Sequence, residues 1–332
     1  MLINLARLDS VTFNSAKTQA TIGGGANINK TIAAAYKAGT LVETGNCNCV
    51  GTLGAILGGG YGNLMGLYGF GVDNVISLRV VTPDGKLRTV TASSDPDLFW
   101  ALRGAGPNFG IVTSAVVKAY PAKQTADMTA WAGALIFSSD KLERVVQAIQ
   151  DLKLEPEMNI FMYFISGGAD TGNSPVVMTT PFLNKGTPEL GRQKFASLFA
   201  IGPMVDTTSV LPYNQWNSGG DGFCIRGFRK PSFSVGMQEL VPSVWRRVWN
   251  EYVSFQSRPG AESSAVLMEA YSLDKAKSIP GSSAAFPYRD VKFHAVSIGW
   301  YNDTGLDGAA LETGRRIREL WRGEDGLGRN AT

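Results

Sequence analysis

The chain is poor in the residues that make metal centres and disulfide frameworks. It has one histidine, His294, and three cysteines, Cys47, Cys49 and Cys224, in 332 residues. An odd cysteine count excludes a framework of disulfides as the organising device. Cys47 and Cys49 are too close in an extended segment to bridge each other easily. A C-x-C pair also lacks the two further ligands that zinc needs, so no metal is expected. Charge of one sign is missing too. The 31 Lys and Arg against 28 Asp and Glu leave a net charge of +3, with no basic run, which speaks against nucleic acid as a partner. No apolar stretch reaches the roughly 18 residues of a membrane-spanning helix. The start, "MLINLARLDSVTF", has neither the basic n-region nor the long apolar h-region of a signal peptide. Internal repeats and low-complexity segments are absent.

What is present suits a large folded chain with a full core: 44% of the residues are hydrophobic and 18% charged. "AKTQATIGGG" alternates towards Gly23 and reads as a strand ending in a turn. "NINKTIAAAYKAGT" reads as a short helix with Gly39 as its C-cap. "VISLRVVTPDGKLRTVTA" places two β-rich runs around Pro83, Asp84 and Gly85, a hairpin signal. "SSDPDLFWALRGAG" is a capped helix with Pro96 in its first turn, and "GIVTSAVVKAYPA" a further strand.

Past Pro121 the texture changes. "TADMTAWAGALIF", "MNIFMYFISGG", "SPVVMTTPFLN", "SSAVLMEAYS" and "VKFHAVSIGWYND" read as strands. "SSDKLERVVQAIQDL", "TPELGRQKFASLF", "PSVWRRVWNEYVSFQS" and "DGAALETGRRIRELWR" read as helices. The period-2 alternation of "VKFHAVSIGW" points to an antiparallel sheet with one face covered, hence an α+β fold. A domain boundary is expected between residues 122 and 123.

The segment "GNCNCVGTLGAILGGGYGNLMGLYGFGVDN", Gly45 to Asn74, is dense in glycine. Bare backbone lets N–H groups approach an anion such as a pyrophosphate. It is no Walker A loop, since no G-K-[ST] follows, and no Rossmann fingerprint, since Asp73 is too near and the chain returns to a strand. By themselves the glycines favour a structural turn.

The order of three stretches is more specific. "GNCNCVGTLGAILGGGYG", "YGFGVDNVISLRVVTPDGK" and "DPDLFWALRGAGPNFGIVTSAVVKAYP" together resemble the PCMH-type FAD-binding domain of the berberine bridge enzyme-like oxidases, of the vanillyl-alcohol oxidase superfamily, with the fungal branch nearest. "LPYNQW" and "AAFPYRD" look like landmarks of the same family further on. The resemblance implies a partial FAD-binding domain over residues 1–122. A substrate domain over 123–332 follows, with an antiparallel sheet flanked by helices. It implies FAD as cofactor, a small organic substrate oxidised by hydride transfer, O₂ as acceptor and a place in secondary metabolism. In the family a G-x-C-x-x-V-G segment carries a cysteine whose sulfur bonds to the flavin ring. Cys47 takes that place here, and Cys49 is expected to face away. Gly51, Thr52, Leu53, Gly54, Gly58, Gly59, Gly60, Gly62 and Asn63 are then expected along the flavin and its diphosphate, with Gly110, Ile111 and Val112 as a second cofactor-facing stretch.

The family's histidine anchor, in an Arg-Ser-Gly-Gly-His-like turn, belongs before this chain's start, and a tyrosine-containing Asn-Tyr segment beyond its end. A second reading is therefore a chain that uses its pocket for binding, or for cyclisation, without redox turnover. On the substrate side the family's general base lies on a strand after an F-P-x-R element, here Phe286 to Arg289. That strand carries no Asp or Glu between Val291 and Trp300, which leaves His294 as the candidate base. Tyr163 is a second polar group that can face the site, although a core aromatic is the first reading for it. Trp245, Trp249 and Phe255 read as packing.

Overall fold

A computed structural model of the chain describes residues 2–168 and 173–324. The first part is built around a five-stranded antiparallel sheet. In chain order it contains β1 (Val11–Phe13), β2 (Gln19–Gly23), α1 (Ile28–Ala38), β3 (Thr40–Leu41), α2 (Thr52–Ile56), α3 (Met65–Tyr68), β4 (Val75–Val81), β5 (Leu87–Val90), α4 (Pro96–Ala105), β6 (Ile111–Lys118) and β7 (Tyr120–Pro121). The sheet order is β1-β2-β6-β4-β5, and β3 pairs with β7 beside it. Local chemistry explains the ends. The Asn27 side chain accepts from the Lys30 N–H at 2.9 Å and caps α1, and Gly39 closes it in the left-handed conformation. Asp95 caps α4, with Pro96 at its first position. The β4–β5 turn passes through Gly85 at φ +76°.

The second part contains β8 (Thr129–Ala132), β9 (Leu135–Phe137), α5 (Leu142–Gln150), β10 (Met158–Ser166), β11 (Pro175–Asn184), α6 (Pro188–Lys194), α7 (Ala196–Ile201), β12 (Val205–Asp206), β13 (Ser209–Pro212), β14 (Ser232–Met237), α8 (Pro242–Gln256), β15 (Ala265–Tyr271), α9 (Asp274–Lys277), β16 (Phe293–Ile298) and α10 (Asp307–Glu324). These strands form one antiparallel sheet whose main path is β12-β9-β11-β10-β15-β16-β14. The α+β reading holds.

Alternation divides this sheet cleanly. Ile160, Met162 and Phe164 of β10, Val266, Met268 and Ala270 of β15, and Ala295 of β16 enter one core with Val145 and Val146 of α5, Trp245 and Trp249 of α8, and Trp321 of α10. The residues between them, Phe161, Tyr163, Leu267, Glu269, Tyr271, His294 and Val296, stand on the opposite face, towards the first part. The helices thus cover one face and leave the other for a site.

Three local expectations are corrected. "TADMTAWAGALIF" is not one strand: a 3₁₀ turn covers Thr125–Met128, and Gly133, at φ +151°, breaks β8 from β9. Gly133 sits so close to the Thr207 and Thr208 backbone that no side chain fits. "TPELGRQKFASLF" is two helices with a break at Phe195. Residues 47–50 are a turn rather than an extended segment, closed by the Val50 N–H donating to the Cys47 carbonyl at 3.2 Å.

The family landmarks turn out to be seams between the two parts. Tyr213 of "LPYNQW" is buried and its hydroxyl donates to the Val42 carbonyl at 2.9 Å. Asn217 donates to the Gly45 carbonyl at 3.2 Å. Arg289 of "FPYR" makes a two-pronged ion pair with Asp73, at 2.9 and 2.7 Å, and both side chains are buried. The Phe286 ring lies against Gly59, where an added Cβ would come within 2.6 Å of it. Its backbone lies against Gly104, where a Cβ would come within 2.3 Å.

Candidate active site

The free face of the large sheet borders two cavities. The larger, about 630 Å³, is lined by Tyr61, Gln238, Leu267, Glu269, Phe286, Tyr288 and His294 among others. The smaller, about 280 Å³, is lined by Asn46, Asn63, Asn159, Phe161, Tyr163, Thr180, Asn217 and Phe223 among others. Strand register explains why polar groups gather here. Glu269 of β15 is the Cα partner of His294 on β16 and of Phe161 on β10. Tyr271, two residues on, therefore shares the Glu269 face, and its hydroxyl donates to Glu269 Oε2 at 2.7 Å. Asn46, next to Cys47, donates to the same Tyr271 hydroxyl at 2.8 Å. The chain Asn46–Tyr271–Glu269 thus crosses from the glycine-rich segment to the sheet.

Burial sets the protonation of these groups. Desolvation raises the Glu269 carboxyl above its usual range, against the opposing hydrogen bond from Tyr271. The same effect, reinforced by the Glu269 charge, drives the Tyr271 phenol well up. Desolvation pushes His294 down to about 4, so its imidazole is neutral at physiological pH. His294 Nε2 is buried without a hydrogen-bond partner, and the Tyr61 ring packs edge-on against the imidazole at 4.3 Å. Asn46 Oδ1 and Asn159 Oδ1 are likewise buried without partners.

The structure brings some of the sequence-derived site residues together and sets others to different work. Gly51 and Gly54 border open space, and Gly58 nearly so. Gly60 and Gly62 face protein: a Cβ on Gly60 would meet the Gly71 Cα at 2.8 Å, and one on Gly62 the Thr44 carbonyl oxygen at 1.8 Å. Gly59, as above, is filled by Phe286. Gly110, at φ +150°, abuts the Val81 carbonyl, and Ile111 and Val112 begin β6. Leu53 is buried, and Thr52 is buried with its hydroxyl 2.8 Å from that of Thr31. Asn63 accepts from Asn159 Nδ2 at 3.1 Å and lines the smaller cavity.

One cysteine expectation is overturned. Cys49 does not face away from Cys47: residues two apart share a face even in an extended strand, and in the turn at 47–50 the two sulfurs lie 3.5 Å apart. Cys49 and Cys224 form a disulfide across 175 positions of sequence, a single bridge that an odd count permits while it excludes a framework. Cys47 itself is free and half-buried.

Sequence reasoning missed Glu269, Tyr271, Asn46 and Tyr61. A usable signal existed for Glu269: a lone carboxylate inside the apolar run "AVLMEAY" has nowhere to go but a polar site. The strand after "FPYR" carries no carboxylate, and Glu269 sits on the strand before it.

An FAD binding domain family matches residues 1–91. The FAD-linked oxidoreductase hasG of Aspergillus fumigatus is 33% identical over 336 residues, covering 97% of this chain and 70% of that protein. The FAD-linked oxidoreductase OXR1 of Pyricularia oryzae is 30% identical over 325 residues, covering 95% and 63%. This chain therefore spans about two thirds of the length of these relatives. Among solved structures, a chitooligosaccharide oxidase superposes with a TM-score of 0.79 at 19% identity, covering 96% of this chain and 69% of that one. The Physcomitrella patens berberine bridge enzyme-like 1 protein gives 0.79 at 17%, covering 98% and 73%. The smaller cavity fits a flavin ring chemically, since the unpartnered Asn46 and Asn159 oxygens are acceptors for its ring N–H. On sequence relationship the chain belongs to the FAD-linked oxidoreductases, and its fold is that of the berberine bridge enzyme-like proteins.

Proposed function

We propose that this FAD-dependent oxidoreductase oxidises a small, flat organic molecule of secondary metabolism, with O₂ as the final acceptor. The single observation that carries this reading is the Asn46–Tyr271–Glu269 chain, which ends beside neutral His294 in a 630 Å³ cavity on the sheet face. FAD, when bound, supplies a hydride acceptor. The chain's own residues do the rest. Tyr61, Phe286 and Tyr288 supply an aromatic wall for a planar substrate. Glu269 takes the proton of a substrate hydroxyl or amine. Its desolvated carboxylate is a stronger base than one in water, and the Tyr271 hydroxyl orients it. Neutral His294 offers Nε2 to hold the same substrate group. Tyr163 lines the neighbouring cavity.

In this reading residues 1–122 hold the cofactor and residues 123–332 the substrate. The five-stranded sheet lies wholly in the first range and the nine-stranded sheet in the second, which supports the division. The asparagines of the smaller cavity line the flavin ring. Cys47, free and beside Asn46, is the residue placed for a covalent link to it.

The test is a spectral titration of the purified chain with FAD, followed by screening of phenolic and alcohol substrates for flavin bleaching without O₂ and recovery in air. Bleaching by a substrate that leaves Glu269→Gln oxidised supports the reading. A chain that binds the substrate and never bleaches points to binding without redox turnover.

A further inference from the structure

Cys47, Cys49 and Cys224 bring three sulfurs within 4.8 Å of one another from two distant stretches of chain. Among the described residues no histidine nitrogen or carboxylate oxygen joins that cluster. The Cys47 sulfur is 3.5 Å from that of Cys49 and 3.9 Å from that of Cys224. It therefore sits beside the disulfide, nearly level between its two atoms. Thiol attack on a disulfide approaches one sulfur along the S–S axis, so the attacker is farther from the second sulfur by about 2 Å. The near-equal distances seen here do not suit exchange. They suit the corners of a triangle.

A triangle of sulfurs is what one thiolate-bound ion needs. With metal–sulfur bonds of about 2.3 Å, three sulfurs around an ion stand about 4 Å apart. Both Cys47 separations are already near that spacing. Only Cys49 and Cys224 must part, and their Cα atoms, 5.6 Å apart, allow this by side-chain rotation of exposed Cys49. The two loops also stay together without the disulfide. Asn48 donates to Asp221 Oδ1 at 2.7 Å on one side of the cluster, and Asn217 to the Gly45 carbonyl at 3.2 Å on the other.

We propose that, once the Cys49–Cys224 disulfide is reduced, Cys47, Cys49 and Cys224 form a three-thiolate site for one soft d¹⁰ metal ion of the Cu(I) or Cd(II) type. All-sulfur ligation selects soft ions over magnesium, calcium or manganese. The balance is simple. A dithiol reductant delivers two electrons and two protons to the disulfide and becomes a disulfide itself. The two freed thiols and the Cys47 thiol then release three protons as three metal–sulfur bonds form. The site stands independently of the proposed function. The two are coupled only in that an ion on Cys47 and a flavin link on Cys47 exclude each other.

The test uses the full chain, with no flavin attached by intact mass. It is reduced with a dithiol, desalted without O₂ and titrated with Cd(II). The readouts are the sulfur-to-cadmium ultraviolet band and the bound cadmium per chain. One ion per chain is expected, with affinity about tenfold or more weaker in each of Cys47→Ser, Cys49→Ser and Cys224→Ser. Circular dichroism checks that each variant folds. In the wild-type chain, which needs no folding control, bound Cd(II) should shield all three cysteines from iodoacetamide together. No binding by the reduced chain, variants that bind as the wild type does, or shielding of fewer than three cysteines would each overturn the proposal. FAD binding and turnover are measured separately, so failure here leaves the oxidoreductase reading untouched.

Discussion

Glu269 and His294 stand opposite each other on neighbouring antiparallel strands, both facing the larger cavity. Burial moves their titrations in opposite directions. Desolvation raises the Glu269 carboxyl above its usual range, which makes it the stronger base, and lowers His294 to about 4, which keeps its imidazole neutral.

Glu269→Gln should raise stability at pH 7–8 and abolish substrate-dependent flavin bleaching. The carboxyl's folded pKa lies above its unfolded value. Its favourable contribution is therefore complete below the unfolded pKa and is lost as pH rises through the folded one. Glutamine removes that loss and keeps an acceptor for Tyr271. Urea midpoints of both proteins at pH 5 and pH 8 check this, and the gap between them should be larger at pH 8.

For His294 the sign is the reverse. Its folded pKa, about 4, lies below the ordinary histidine value of 6.5, so its contribution is present above 6.5 and is lost as pH falls towards 4. The full loss is on the order of 3 kcal/mol. His294→Phe should flatten the acid limb of the stability profile between pH 6.5 and 4. An unchanged acid limb in thermal melts across that range would count against the neutral buried imidazole.

Arg289→Met should destabilise the chain by about 3–5 kcal/mol, because it leaves the buried Asp73 carboxylate without its partner. The double change Arg289→Met with Asp73→Leu should recover part of that loss. A double-mutant cycle in urea measures the coupling directly.

Gly104→Ala should lower stability sharply. The residue adopts φ +135°, and its Cβ would fall 2.3 Å from the Phe286 backbone nitrogen. Backbone strain alone contributes on the order of 1–3 kcal/mol, before the displacement of the Phe286 seam. Gly51→Ala, whose Cβ meets nothing within 4 Å, should leave stability within about 0.5 kcal/mol and so serves as the control.

Under non-reducing, denaturing conditions only Cys47 should react with iodoacetamide, and a peptide joining Cys49 to Cys224 should appear by mass spectrometry. Cys224→Ser should cost about 2–4 kcal/mol, since the bridge closes a long loop of the unfolded chain.

Much of the fold was legible in the residues themselves, because the forces involved are local. Asn27 and Gly39 bound α1, Asp95 and Pro96 start α4, and Pro83 to Gly85 turn the β4–β5 hairpin through hydrogen bonds and φ preferences that a few neighbours decide. Alternation in "VKFHAVSIGW" likewise settled that β16 has one core face and one open face. The order of glycine-rich and "FPYR"-type stretches was enough for the family. Tertiary structure alone decided which strand lies beside which, and the chemistry of the site depends on that. Glu269 is 25 positions before His294 in the chain and faces it only through the β15–β16 register. Cys224 meets Cys49 across 175 positions, and the turn at 47–50, closed by one backbone hydrogen bond, leaves the Cys47 sulfur 3.5 Å from that of Cys49. Pairing register and loop closure are sums over many distant contacts, so no short window of sequence carries them, whereas caps, turns and alternation are complete within one.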